Sequence, residues 1–416
     1  MKLTSPKALL VLSVLLWFFA CKSESSSYSS NKNLSISPNN SFSFDSEENS
    51  NRVIQVNKSK DEILAGDVFE IEELIPLETR KASLLGKVNK IDFFENQIFV
   101  LDAKNAKKLA VFDMDGTHQR NFGSKGGGPG QYSDILDFTI DREKKMVFIL
   151  TFELDLLIYD IEGKIIDKHI LKVPMKNIES LGNSQLALYD NDPSRKMIAP
   201  GYRLKIYDYE KKEIVSKHMY LDEMLHKRIP RNTNTFSKTG NVINLYTNNS
   251  DSVYQIIEDK ISLKYFLDFG RHQRPTDFFE NLPLLPASFD VMMSSNYSSP
   301  PRNWQESTRH IFMNYSINKE IYHTLISKKT QEVIFSSPAL VDDFYSGMVF
   351  NPFGVYSDYF VCLIEPEYTA MFRNYYEKEG VAVKEKYPQR FKDLLSGLKS
   401  GDNPVIALLK VKEDIQ

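Results

Sequence analysis

From residue 70 onward, hydrophobic and polar residues mostly alternate with a period of two, in short runs that end at turn residues. Examples are residues 97–102 (QIFVLD) and residues 260–266 (KISLKYF). This period is typical of β-strands, because successive side chains point to opposite faces of a sheet. The pattern therefore predicts an all-β body built from short strands.

A strand–turn–strand unit recurs along the first half of this body. It reads LAVFDMDG at residues 109–116 and LLIYDIEG at residues 156–163, and two further copies follow. The aromatic residues at the same place in the four copies lie 47, 48 and 47 residues apart: Phe112, Tyr159, Tyr207 and Tyr254. Such a constant spacing predicts that one structural module is repeated along the chain.

The length of this module is that of one blade of a β-propeller, a four-stranded antiparallel sheet. About 350 residues remain once the first 60 are set aside, which suits six blades and two insertions. We therefore predict a six-bladed β-propeller over residues 61–416, with a solenoid or a sandwich array as the alternative. Residues 67–75 are expected to pair with residues 404–411, because closing the ring removes free edge strands.

Two segments interrupt the repeat. Residues 270–305 are rich in proline, aromatic residues and arginine, and they predict a long loop. Residues 367–399 carry apolar residues at helical spacing and predict a small helical insertion near the C-terminus. Aromatic and arginine side chains together suit sugars, peptides or partner proteins, although a loop that only covers a blade is the alternative. The candidate ligand-binding residues of the loop are Arg271, Arg274, Tyr297, Arg302 and Trp304.

The N-terminal residues predict export. An apolar run of about 13 residues ends at Ala20, which suits a signal peptide over residues 1–20 and is too short to span a bilayer as a helix. Cys21 follows directly and resembles the lipidated cysteine of bacterial lipoproteins. That resemblance implies a thiol acylated with fatty acids such as palmitate and a membrane anchor. An ordinary secretory signal or a signal anchor is the alternative, and the Ser- and Asn-rich residues 21–60 predict a flexible tether.

A glycine-rich segment carries a family resemblance. Residues 122–132 (FGSKGGGPGQY), followed by residues 135–138 (ILDF), resemble the blade-to-blade segment of six-bladed β-propeller lipoproteins common in Bacteroidetes, which are similar to NHL-repeat propellers. The resemblance covers residues 68–270 well and the rest loosely. Together with Cys21 it implies an outer-membrane lipoprotein of the cell envelope that faces the periplasm or the cell surface.

Several classes of chemistry find little support. The glycine-rich segment lacks the spacing of a phosphate-binding loop and predicts a crossing between blades, from which Lys125 and Tyr132 are expected to reach the central mouth. Seven histidines and two cysteines show no zinc-binding pattern, and no nucleophile motif is present. With 52 Lys and Arg against 55 Asp and Glu, the chain also lacks the basic excess of a nucleic-acid-binding protein.

These observations favour a lipid-anchored binding module without catalytic residues, metal or cofactor, whose ligand is a glycan or a peptide. The alternative is a metal-dependent enzyme. Lactonases and lyases exist on propellers that resemble this one, typically around an axial calcium ion, and the candidate ligands here are Asp92 and Asp137. A structural subunit of an outer-membrane complex, with a protein partner, is the third possibility.

Overall fold

A computed structural model of the chain describes residues 52–56, 62–190, 201–230, 235–240, 242–344, 346–369, 371, 389–413 and 415. The predicted signal peptide and most of the predicted tether lie outside the described residues. The first elements are β1 (Val53–Gln55), β2 (Ile63–Leu64), helix α1 (Ala65–Val68) and β3 (Phe69–Pro76).

The described residues include six sheets with four antiparallel strands each, one of them extended by a fifth strand, and these sheets are the blades of a six-bladed β-propeller. Blade 1 contains β4 (Lys90–Phe94), β5 (Gln97–Asp102), β6 (Lys108–Asp113) and β7 (His118–Phe122). The short parallel strands β8 (Ser124–Lys125) and β9 (Gln131–Tyr132) lead to blade 2. Blade 2 contains β10 (Ile135–Asp141), β11 (Met146–Thr151), β12 (Asp155–Asp160) and β13 (Ile165–Ile170).

Blades 3 and 4 follow in chain order. Blade 3 contains β14 (Asn177–Gly182), β15 (Gln185–Tyr189), β16 (Gly201–Asp208) and β17 (Glu213–Leu221), and helix α2 (Glu223–His226) comes next. Blade 4 contains β18 (Phe236–Thr239), β19 (Val242–Tyr246), β20 (Ser252–Ile257) and β21 (Lys260–Asp268). The four aromatic residues that mark the sequence repeat lie in β6, β12, β16 and β20, which are the third strands of blades 1 to 4.

The last two blades are separated from blade 4 by a 3₁₀ turn (Gly270–His272) and helix α3 (Ala287–Met293). Blade 5 contains β22 (Arg302–Glu306), β23 (His310–Ile317), β24 (Glu320–Ser327) and β25 (Val333–Ser337). The short strand β26 (Leu340–Val341) pairs with β2. Blade 6 contains β27 (Met348–Tyr356), β28 (Tyr359–Ile364) and β29 (Val405–Val411), with helix α4 (Gln389–Gly397) before β29 and β3 as the outermost strand.

The ring closes through the N-terminal strand β3. Phe69 pairs with Val411 and Pro76 with Val405 in antiparallel register, so the two chain ends meet as predicted. The pairing covers the outer edge of β29, so blade 6 does not end on a free strand there. The predicted ring closure is therefore confirmed.

Strand β1 extends blade 4. Val53 and Gln55 pair in parallel with Phe266 and Asp268 of β21, which makes this sheet five-stranded. Ile54 is fully buried and belongs to the core between blades 4 and 5. This strand lies inside residues 21–60, which were predicted as a tether, so the folded body begins before residue 60.

Tightly packed apolar side chains fill the spaces between the blades. Between blades 1 and 2, Phe99, Phe122 and Phe138 are fully buried in one cluster. Because each strand alternates its side chains between two faces, a blade can bury both faces only by stacking against two neighbours. Stacking each blade between two neighbours in this way produces a closed ring.

The glycine that ends the first two copies of the repeat has a steric reason in blade 1. Gly116 has a φ of +88°, and a Cβ atom there would lie 2.0 Å from the carbonyl oxygen of Pro76 on the closing strand. Only glycine fits such an approach without moving the backbone. The hairpin of blade 1 therefore fits against the strand that closes the ring.

Both predicted insertions need new boundaries. The loop predicted over residues 270–305 includes helix α3, and its last residues belong to β22, the first strand of blade 5. The helical insertion predicted over residues 367–399 is helical at 366–369 and in α4, while residues 370 and 372–388 lie outside the described part of the chain. None of the helices in the described ranges has the length and the apolar character needed to cross a bilayer.

Candidate functional site: the axial cavity

The innermost strands of the six blades, β4, β10, β14, β18, β22 and β27, surround a polar cavity of about 70 Å³ on the axis of the ring. That volume is several times what one water molecule needs. Each blade contributes to the wall of the cavity. One lining side chain from each blade, in chain order, is Lys90, Asp137, Glu179, Lys238, Gln305 and Phe353.

Lys90, the first residue of β4, reaches across to blades 2 and 3. Its Nζ lies 3.2 Å from Asp137 Oδ1 and 3.1 Å from Glu179 Oε2. It also donates to the carbonyl oxygens of Phe138 at 2.7 Å and of Ile178 at 3.4 Å. Because these acceptors outnumber the three N–H groups of an ammonium, Lys90 has no donor to spare for a ligand.

The two carboxylates beside Lys90 are buried and hydrogen-bonded. Asp137 Oδ2 accepts from the backbone N–H of Ile178 at 3.0 Å, and Glu179 Oε1 accepts from the Thr139 hydroxyl at 2.8 Å. Lys238 adds a looser ion contact, with its Nζ 3.8 Å from Glu179 Oε1. The result is a network of two ammonium groups and two carboxylates that joins four blades.

The cavity shifts the pKa values of the two carboxyl groups in opposite directions. Burial raises the pKa of Asp137 despite the nearby Lys90 ammonium. Burial acts in the same way on Glu179, but the charges of Lys90 and Lys238 and the Thr139 hydroxyl outweigh it and lower the pKa of Glu179. On the Lys90 ammonium, burial has the opposite effect and by itself would lower the pKa. The two carboxylate partners outweigh burial and raise the pKa of Lys90.

Asp92 also lines the cavity, as does Asp137, so the structure brings together the two residues predicted for a calcium site. Asp92 Oδ1 is 2.5 Å from the Arg142 guanidinium and accepts from the N–H of Phe93, while Asp137 is bonded to Lys90. Among the described residues, no three acidic, histidine or cysteine side chains are grouped so that they could hold a metal ion. Calcium takes six to eight oxygen ligands, so this arrangement, in which each carboxylate already has a cationic partner, does not fit the ion.

Two of the residues predicted on the insertion are buried and hold the fold together. The Arg274 guanidinium pairs with the Asp251 carboxylate, donates to the carbonyl oxygen of Ser298 and lies 5.3 Å from the ring centre of Phe279. Trp304 is 0% exposed and packs against Tyr265 in the core between blades 4 and 5.

The other insertion residues vary in exposure. Arg271 is exposed and its Nε donates to His272 Nε2 at 3.1 Å, while Tyr297 is 37% exposed and packs edge-on against Phe278. Arg302, at the start of β22, is half-buried, and burial lowers its pKa to about 10. None of the five predicted insertion residues lines the axial cavity.

The glycine-rich segment does not bring its predicted residues to the cavity. Lys125 is exposed in β8, and Tyr132 in β9 is 2% exposed in the core between blades 1 and 2, where its hydroxyl donates to the carbonyl oxygen of Phe122. Neither residue lines the axial cavity. Cys21 lies outside the described residues, and Cys362 is a fully buried free thiol whose pKa burial raises, as expected for a core side chain.

Sequence reasoning missed Lys90, Glu179, Lys238 and Gln305. A signal for one of them was present: Ile91-Asp92-Phe93 and Leu136-Asp137-Phe138 share an apolar–acidic–apolar pattern, and Ile178-Glu179 repeats its first half 42 residues later. Aligning the first strands of the blades would have found Glu179. Lys90 and Lys238 do not belong to this sequence pattern. Each faces a carboxylate on a neighbouring blade.

The geometry defines the class of this protein as a six-bladed β-propeller with a charged axial cavity. The sequence profile of the Domain of unknown function DUF4934 matches residues 51–410. The chain therefore belongs to the DUF4934 family. No protein of curated function is similar to it in sequence.

Two solved structures from Bacteroides species share the fold. One, from Bacteroides fragilis, is provisionally named an exported protein. It has 18% identity and a TM-score of 0.72, over 87% of this chain and 100% of its own. The other is a member of the DUF4221 family from Bacteroides vulgatus, with 10% identity and a TM-score of 0.50 over 83% of this chain and 98% of its own. The predicted likeness to Bacteroidetes propellers is confirmed for the fold, while lipidation and NHL-type repeats stay predictions.

Proposed function

We propose that this chain is a non-catalytic binding module whose ligand contacts the axial cavity. The observation that carries the proposal is the burial of Lys90, Asp137 and Glu179 around an open space and not in a packed core. A buried ion pair adds little stability, and apolar side chains of similar volume often stabilise a protein better. Charged groups kept around a cavity are instead typical of ligand sites.

The ligand we propose is a glycan or a peptide. The cavity wall offers hydroxyl, amide, ammonium and carboxylate groups beside the rings of Phe236 and Phe353. Hydroxyl and amide groups hydrogen-bond both sugars and peptides, and aromatic rings pack against the apolar faces of either. The small cavity volume supports entry of an end group, with the rest of the ligand outside.

Binding screens of the purified full-length chain against oligosaccharide and peptide arrays test this proposal. We expect the cavity double variant Ser237→Ala/Gln305→Ala to weaken the retained ligand at least tenfold, with an unchanged melting temperature. The matched double variant Arg271→Ala/Tyr297→Ala on the insertion should bind like the wild type. The opposite result would place recognition on the insertion, and a wild-type chain that retains no ligand from either array would contradict the binding function.

We further propose that a lipidated Cys21 anchors the chain in the outer membrane of the cell envelope. The apolar run that ends at Ala20 supports this anchor, and the provisional name of the Bacteroides fragilis protein supports the export that it requires. Cells fed an alkyne analogue of palmitate should label the wild-type chain in the membrane fraction. Cys21→Ser should abolish the label and the control Cys362→Ser should keep it. A labelled Cys21→Ser chain would refute the anchor.

One observation favours an enzyme as the second candidate. Asp137 and Glu179 flank one ammonium group and have pKa values shifted in opposite directions, which is how an acid and a base are often set apart in an active site. In a lactonase- or lyase-like reaction, Asp137 would donate a proton and Glu179 would accept one. Turnover of a lactone or uronide panel that Asp137→Asn abolishes and Asp160→Asn preserves would support this candidate; a wild-type chain inactive on the panel would count against it.

A further inference from the structure

We propose that the axial cavity recognises a carboxylate group of its ligand, with Lys238 as the binding cation and the Gln305 amide as a second donor. The inference rests on the proposed binding function and assigns the chemistry of the ligand's end group.

Lys238 is the cavity cation that the protein leaves available. Its contact with Glu179 is 3.8 Å long, which is too long for a hydrogen bond, and within the described part of the chain its ammonium donates none. The side chain is 19% exposed, so the ammonium can meet a ligand. Lys90, by contrast, is surrounded by four protein acceptors.

Gln305 provides the second donor from the neighbouring blade. It lies in β22 beside Lys238 in β18, and both side chains line the cavity. The hydrogen bond from Gln305 Nε2 to Asn303 Oδ1 is 3.4 Å long, which is weak for a buried amide. A carboxylate accepts hydrogen bonds at two oxygens, so one ligand group can satisfy the ammonium and the amide together.

The carboxylates in the cavity wall do not cancel the preference for an anionic ligand, because each of them already has a cationic partner in the protein. Asp92 is paired with Arg142, and Asp137 and Glu179 are both bonded to Lys90. Burial raises the pKa of Asp137, so this group takes up a proton more readily than an exposed aspartic acid. A proton on Asp137 would remove one negative charge when an anionic ligand enters.

A ligand carboxylate can come from a uronic acid or from the C-terminus of a peptide, and paired probes distinguish the two. Calorimetric titrations would compare trigalacturonate with galactotriose, and the acid of a tripeptide with its amide. We expect at least tenfold tighter binding of one acid than of its neutral partner. The acid that binds identifies the source.

Variants of Lys238 separate charge from shape. Lys238→Met should weaken the acid at least tenfold with little effect on the neutral partner, whereas Lys238→Arg should retain most of the affinity. Lys125→Met makes the same change at an exposed lysine outside the cavity and should leave binding unchanged. Melting curves of all three variants serve as the control that each is folded.

Equal binding of an acid and its neutral partner, acid binding that survives Lys238→Met, or no binding of either acid would overturn the carboxylate inference. The binding function would stand if a neutral ligand still bound and Ser237→Ala/Gln305→Ala removed it. The two failures are therefore distinguishable.

Discussion

The insertion after blade 4 and the axial cavity contain similar side chains, basic groups beside aromatic rings, but use them differently. On the insertion, Arg274 is buried against Asp251 and the carbonyl oxygen of Ser298. At the cavity, the one ion contact that the described residues give Lys238 is a long one with Glu179. A basic residue near aromatic rings is therefore a recognition candidate only when the protein does not already supply its partner.

The insertion is fastened to blade 5 by its backbone as well. The N–H groups of Asn318 and Lys319, at the hairpin between β23 and β24, donate to the carbonyl oxygens of Ser295 and Met293 at 2.8 and 2.6 Å. Ser299 and Ser316 also exchange hydrogen bonds between the insertion and β23. The insertion therefore has a structural role, which is the alternative to ligand binding that its sequence left open.

The largest expected effect of a substitution is at the base of the insertion. Trp304→Ala should lower the free energy of unfolding by about 4 kcal/mol, because it opens a cavity between blades 4 and 5. Tyr297→Ala, on the exposed part of the same insertion, should cost less than about 1 kcal/mol. Urea denaturation measures both, and equal losses would break the distinction between the buried base and the exposed part.

Breaking the buried pair on the insertion should cost somewhat less. Arg274→Ala leaves the Asp251 carboxylate buried without its cation, and we expect a loss of about 3 kcal/mol. Arg309→Ala breaks an exposed pair with Asp358 and should cost about 0–1 kcal/mol in the same denaturation experiment. A loss at Arg274 no larger than that at Arg309 would show that the pair is not needed for the fold.

At the cavity we expect a smaller loss with a pH signature. The folded-state pKa of Glu179 lies below its ordinary 4.5, so its stabilising effect is present above pH 4.5 and is lost as the pH falls through the folded-state pKa. Glu179→Gln should cost about 2 kcal/mol at pH 7 and less at pH 3. The control Glu143→Gln is at an exposed site, and an unchanged difference between the two pH values would contradict the assigned ion pairs.

The smallest effect should come from Arg271. This side chain is exposed and donates to a side-chain nitrogen of its chain neighbour His272, so Arg271→Ala should change the free energy of unfolding by less than about 0.5 kcal/mol. Ligand binding at the cavity should also be unchanged. A loss of ligand binding in this variant, measured by calorimetry, would show that the insertion takes part in recognition.

The fold could be predicted further than the site. Period-two alternation and the spacing of 47 or 48 residues between successive repeats, from Phe112 to Tyr254, depend on local geometry that repeats along the chain. The blades and their number could therefore be predicted from the sequence. The site was only partly within reach. Asp92 and Asp137 both line the cavity, but their cationic partners Arg142 and Lys90 were not anticipated.

The strands, their hairpins and the segment that closes the ring could be read from the amino-acid sequence alone, because each follows from the spacing of apolar and turn residues. Which charges remain available to a ligand depends on how the blades are placed around the axis. Lys90 and Glu179 are 89 residues apart in the chain and meet only when blades 1 and 3 face the same axis. Arg274 and Trp304 are buried against residues distant in the chain, such as Asp251 and Tyr265, and burial of this kind depends on the packing of the whole ring.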